Sequence, residues 1–207
     1  VLHGGVREGR RTLGAGRAGT GKSMLSLEVA YRAAASGEAA VFVSFEESED
    51  QIRHNAASLG WELEELEQRG TLVLSSPRID YDVVYAGEFG IDGLLAVLAG
   101  QGSQIGARLL VIDAIDALLR LFQRPRRRRE EIHKLESWCR KQGLTTILTA
   151  KLWPGQSSLG EYDYVEFMVD CMIHLDHRVE GQVSTRRLRV TKFRGSAHST
   201  NEHPYVI

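Results

Sequence analysis

Gly16-Arg17-Ala18-Gly19-Thr20-Gly21-Lys22-Ser23 fits the pattern GxxxxGK[ST], and everything else in the chain is read outward from it. Its glycines let the backbone curl tightly, so that the N–H groups of Gly19, Gly21, Lys22 and Ser23 point into one anion-sized concavity. Lys22 supplies a mobile positive charge for β- and γ-phosphates, and the Ser23 hydroxyl is a hard oxygen ligand of the kind Mg²⁺ takes. The flanks supply the required context. RRTLGA before the loop reads as a strand, and MLSLEVAYRAAAS after it as a helix whose N-terminal dipole adds to the anion site.

Beyond the loop, strand and helix patterns alternate without a long linker, which predicts an α/β fold with a mostly parallel sheet flanked by helices. AAVFVSF, TLVLS, RLLVID and TTILTA are apolar, β-rich runs. Helices are expected near 50–59, 62–68, 91–98 and 129–142, with looser chain over 76–88 and 153–160. The last third, CMIHLDH, VSTRRLRVTKF and PYVI, reads as antiparallel, with a turn at Glu180-Gly181.

Two acidic features stand at strand ends, where open α/β sheets gather their ligands. Asp113 closes the buried strand RLLVID and reads as a Walker B acid that meets Ser23 at one Mg²⁺; the competing reading is a helix cap. Asp116, three residues on, reads as structural. Glu46-Glu47 follow AAVFVSF and are candidate bases for a water molecule, against the alternative of a solvated acidic turn continued by Glu49 and Asp50.

With 207 residues, 43% hydrophobic and 26% charged content, the chain fits one globular domain over residues 1–207. A net charge of −1 provides no global field for nucleic acid or membrane, and no run is long and apolar enough to span a bilayer. Cys139 and Cys171 lack metal-type spacing and read as reduced core thiols, which suits a cytoplasmic location. His174 and His177 share a helical spacing inside a strand pattern, which argues against a metal site; His3, His54, His133 and His203 are scattered. Trp61, Trp138 and Trp153 read as packing residues, and Ile132, Leu135 and Cys139 as the sheet-facing stripe of their helix.

FVSFEESEDQI, HNAASLGWELEEL and TKFRGSAHSTNEHPYVI resemble the corresponding stretches of the KaiC family of RecA-superfamily ATPases, a likeness that runs nearly the whole chain. The resemblance implies a RecA-like fold, ATP and Mg²⁺ as cofactors, slow hydrolysis, and assembly as a homo-oligomer, a hexameric ring with ATP between subunits and regulatory protein partners. It implies that Gly16, Gly19, Thr20, Gly21, Lys22, Ser23 and Met24 hold the nucleotide, with Lys22 catalytic, that Glu46 and Glu47 polarise the attacking water, and that Ser58 lies near them. In VTKFRGSAH, strand alternation sends Lys192 and Arg194 to one face and Phe193 to the other. By resemblance, Lys192, Phe193, Arg194, Ser196 and His198 reach the nucleotide of the neighbouring subunit, the cations acting as arginine fingers do.

The chain departs from the family pattern in three respects. A single such domain stands where KaiC carries two in tandem, with the segment before the first strand cut short. The family's phosphoacceptor Ser-Thr pair falls at Glu166 and Phe167, so no autokinase activity is expected. The run QRPRRRREE places Arg124 and Arg126 to Arg129 in the loop after Asp113, where a DNA-binding recombinase or helicase-like ATPase holds phosphate backbones. Without interleaved aromatics for base stacking, that reading stays the alternative, as does a scaffold that binds ATP without hydrolysing it.

Overall fold

The computed structural model describes residues 5–153 and 158–206; His3, Ile207 and part of the loop expected over 153–160 fall outside them. The glycine-rich stretch does connect strand to helix: β1 (Arg11–Gly16) runs into the loop and α1 (Lys22–Ala35) leaves it. Next come β2 (Ala40–Ser44), α2 (Glu49–Ala57), α3 (Leu63–Gln68) and β3 (Leu72–Ser75). Helices α4 (Tyr81–Tyr85) and α5 (Asp92–Ile105) lead to β4 (Leu109–Asp113), and α6 (Ile115–Arg120) and α7 (Pro125–Lys141) to β5 (Thr145–Lys151). A 3-10 turn, Gly160–Tyr162, and α8 (Tyr164–Met168) precede β6 (Cys171–Glu180), β7 (Val183–Phe193) and β8 (His203–Tyr205).

The strands form one eight-stranded sheet in the order β3-β2-β4-β5-β1-β6-β7-β8. Pairing is parallel from β3 through β6 and antiparallel from β6 to β8, as the sequence predicts. The unbroken apolar runs of β2 and β4 follow from burial on both faces. Val41, Val43, Leu110 and Ile112 join a core with α5, α6 and α7, while Ala40, Phe42, Leu109 and Val111 join one with α1, α2 and α3. Since every parallel strand ends at the same edge, the phosphate loop, Glu46-Glu47 and Asp113 are delivered to one rim.

Helix α4 stands within the stretch 76–88 expected to be loose, and α6 and α8 stand where no helix was expected. The largest correction concerns the arginine run. Arg126 to Arg129 are not in a loop: Pro125 occupies the first position of α7, where a fixed φ and a missing N–H cost a helix nothing, and the four arginines form its first turns. The stripe Ile132, Leu135 and Cys139 is buried as expected, and both cysteines are free and buried. Among the described residues no helix is long and apolar enough to cross a membrane.

Candidate functional site

The loop 17–21 is shaped by two glycines in the left-handed region, Gly19 at φ 77° and Gly21 at φ 85°, the latter capping α1. Thr20, almost wholly buried, ties the loop to itself, its Oγ1 donating to Arg17 O at 2.8 Å. Gly16 has a different reason to lack a side chain. A Cβ there would stand 2.5 Å from the Leu175 carbonyl oxygen of β6 and 2.7 Å from Thr20 Oγ1, so this glycine serves the close approach of β1 to β6. Met24, partly buried, packs into the core beneath α1.

Ser23 and Asp113, ninety residues apart in sequence, meet here: Ser23 Oγ donates to Asp113 Oδ1 at 3.1 Å. Thr149 on β5 donates to the same oxygen. Burial raises the Asp113 pKa, and the hydrogen bonds from Thr149 and Ser23 and the nearby Lys22 charge only partly offset this. The Lys22 pKa is lowered, first by burial, against the pull of Asp113, Asp116 and Glu46; its Nζ donates to Arg17 O at 3.0 Å. Asp116 has partners within the fold. It is buried, takes the Lys151 N–H at 3.1 Å and the Arg120 guanidinium at 2.9 Å, and so pins the end of β5 to α6.

The adjacent glutamates part company. Ser44 Oγ accepts from both of their N–H groups, fixing the turn after β2. The Glu47 carboxylate is bonded by Asn55 Nδ2 at 3.0 Å and so faces α2, whereas Glu46 lies 3.5 Å from Arg120, on the Lys22 side. Ser58 caps the end of α2, and its hydroxyl donates to the main-chain oxygen of Asn55 at 2.7 Å, the residue whose side chain bonds Glu47.

Lys192 and Arg194 lie together at the end of β7, away from this chain's own phosphate loop. Lys192 Nζ donates to Glu166 O at 2.7 Å and Arg194 Nη2 to Phe167 O at 2.8 Å, so the main-chain oxygens of α8 gather both cations. The Lys192 pKa is lowered, chiefly by burial and then by the adjacent Arg194. Phe193, between them, is buried on the opposite side with Cys171 and Val190. His198 packs edge-on against Phe193, and Ser196 N–H returns to Phe193 O at 3.4 Å, closing the turn.

The arginine run is largely engaged. Arg127 reaches the buried Glu131 carboxylate at 2.9 Å. Arg128 donates to Phe122 O at 2.7 Å, pairs with Glu161 at 2.6 Å and lies over the Tyr162 ring, and Arg129 lies over Tyr164. Groups holding the fold together in this way are poorly placed to release counterions from a phosphate backbone. His174 and His177 both lie in β6, where a separation of three sends them to opposite faces. Among the described residues no group of three or more His, Cys, Asp and Glu side chains could hold a metal ion.

The sequence reading missed Thr149. A threonine inside a buried strand needs a partner, and placing β5 beside β4 would have brought it to Asp113.

A sequence model described as the KaiC ATPase matches residues 1–207. The chain belongs to the KaiC ATPase family. The circadian clock protein KaiC2 of Synechocystis sp. is 34% identical over 209 residues, covering all of this chain and 36% of that protein. The circadian clock oscillator protein KaiC of Acaryochloris marina is 32% identical and is matched over 40% of its length. The chain thus spans well under half the length of these relatives. Among solved structures, a KaiC-like protein from the hyperthermophilic archaeon Pyrococcus horikoshii superposes with a TM-score of 0.86 at 31% identity, over 99% of this chain and 88% of that one. The RecA-like fold of this chain, eight strands with helices on both faces among the described residues, is that of a KaiC-family ATPase.

Proposed function

We propose that the chain is an ATP-hydrolysing domain of a KaiC-type regulatory ring, with ATP bound at each subunit boundary. The observation that carries the reading is the hydrogen bond from Ser23 Oγ to Asp113 Oδ1, which joins the phosphate loop to the acid at the end of β4. The donor set fits Mg²⁺, because a hydroxyl and a carboxylate at a phosphate site are the hard oxygens this ion takes; when bound, it would neutralise charge developing on the phosphates. Ser23 and Asp113 would hold it.

The loop N–H groups and Lys22 bind and orient the triphosphate. Glu46 accepts a proton from water as its oxygen attacks the γ-phosphorus in line; the bond to the bridging oxygen breaks and ADP leaves. Glu46 takes this role because its charge is close enough to act on Lys22, while the Glu47 carboxylate is held by Asn55. Lys192 and Arg194 serve the nucleotide of the adjoining subunit, since both are gathered by α8 main-chain oxygens away from their own loop. A hexameric homo-oligomer, a clock or regulatory role as in the named relatives, and the absence of autophosphorylation at Glu166 and Phe167 complete the proposal.

Hydrolysis and particle size, measured with and without ATP, test it. Glu46→Gln is expected to lower turnover by roughly 10²- to 10⁴-fold with ATP binding intact, and Glu47→Gln by less. A wild-type protein that assembles on ATP without hydrolysing it would replace the enzyme reading with that of a scaffold, and the reverse order of the two variants would exchange the glutamates' roles.

A further inference from the structure

The phosphate loop is held from the far end of the chain. The Tyr205 hydroxyl of β8 donates to the main-chain oxygen of Thr20. Arg186, which lies directly opposite Tyr205 in the β7–β8 pairing, directs Nε at the Gly19 oxygen at 3.5 Å. Arg17 reaches Asp176 of β6 at 3.6 Å. Strands β6, β7 and β8 therefore touch the loop at three residues, Arg17, Gly19 and Thr20.

The Tyr205 contact bears on ligand binding because of peptide geometry. In a trans peptide unit the C=O and the following N–H point in opposite directions, so an acceptor held on the outside of the loop fixes a donor on the inside. The unit between Thr20 and Gly21 lies between two residues of very different freedom, and Gly21 by itself rotates readily. Holding the Thr20 oxygen outward aims the Gly21 N–H inward, into the concavity where phosphate oxygens are expected. The neighbouring unit is less informative, since the Thr20 N–H already donates to Arg17 O at 3.3 Å. Burial raises the Tyr205 pKa, against the opposing charge of Arg186, so the phenol keeps the proton it donates.

We propose that Tyr205 is a positioning residue for nucleotide binding: through the Thr20 carbonyl, its hydroxyl holds the Gly21 N–H toward the phosphates. The inference rests on the reading of Gly16 to Ser23 as the nucleotide site.

Tyr205→Phe keeps the ring and removes only the donor. ADP and ATP binding by calorimetry, steady-state hydrolysis, and thermal melting without nucleotide are measured on the wild type, Tyr205→Phe and Lys22→Ala. Loss of one aligned donor is expected to weaken binding roughly three- to tenfold and raise KM to match, with kcat at saturating ATP within about twofold and the melting temperature unchanged. Unchanged affinity in Tyr205→Phe, with Lys22→Ala defective, overturns the role of Tyr205 alone. A fall in melting temperature without a change in KM reduces the contact to a fold brace and also overturns it. Wild-type affinity in Lys22→Ala would instead overturn the nucleotide-site reading.

Discussion

Replacing Gly16 by alanine separates two reasons for glycine in the phosphate loop. The added Cβ would lie 2.5 Å from Leu175 O, 2.7 Å from Thr20 Oγ1 and 3.0 Å from Leu175 Cβ. The threonine hydroxyl can turn aside, but the Leu175 oxygen belongs to β6, and Gly16 pairs with Leu175 across the sheet. The strands must part at their upper ends. Such overpacking costs about 1–3 kcal/mol. The smaller conformational freedom of alanine in the unfolded chain returns ~0.4–1 kcal/mol, leaving a net loss centred at about 1–2 kcal/mol. For a chain of this size that corresponds to a melting temperature lower by roughly 2–8 °C. Gly19→Ala is the control: nothing lies within 4 Å of its Cβ, but φ is +77°. It is expected to weaken nucleotide affinity, while left-handed strain of about 1–2 kcal/mol lowers its melting without any clash. Circular dichroism melts of both variants without nucleotide are the assay. A Gly16→Ala protein that melts within a degree of wild type would refute the argument that this glycine is fixed by the approach of β6.

Two further outcomes are expected. Arg194→Ala should leave nucleotide binding largely intact and lower hydrolysis tenfold or more, as loss of a charge-stabilising arginine does; mixing it with a Lys22→Ala protein that supplies intact arginines should restore part of the rate, and unchanged turnover in the single variant would defeat the trans-acting role. At Asp170, burial raises the carboxyl pKa, but the backbone and guanidinium hydrogen bonds of Arg11 outweigh it and hold the group below its usual value. Its folded-state pKa is thus depressed, so its contribution to stability is present at neutral pH and is lost as pH falls through that value. Asp170→Asn should therefore be less stable than wild type at pH 7 and approach it in acid, measured as urea midpoints across pH 7 to 3.

How much was legible in the sequence follows from how local each signal is. The phosphate loop, α1 and the strands were readable because their glycine spacing and apolar runs are properties of contiguous residues; β7 matches VSTRRLRVTKF end to end. Helix α6 was hidden because its apolar residues directly follow a buried strand, where periodicity does not separate the two. The start of α7 was missed because four adjacent arginines read as solvated chain, although Glu131, Glu161 and the rings of Tyr162 and Tyr164 lie within their reach. In the site, the motifs bring Ser23 and Asp113 to one strand-end rim, and the two share a hydrogen bond. Thr149 and the different surroundings of Glu46 and Glu47 depend on strand order and on partners in α2 and α6, which no spacing in the sequence records.

The two outer strands of the sheet have a consequence for how copies of this protein can meet. At one border β3 is four residues long, and at the other β8 is three, with Pro204 opposite Arg187 where a free N–H would otherwise stand. Short borders, one of them interrupted by proline, give an incoming strand little main chain to pair with. A sheet closed off in this way cannot easily grow by adding strands from another molecule, so any meeting of copies would run through side chains. Assembly can then answer to what those side chains hold.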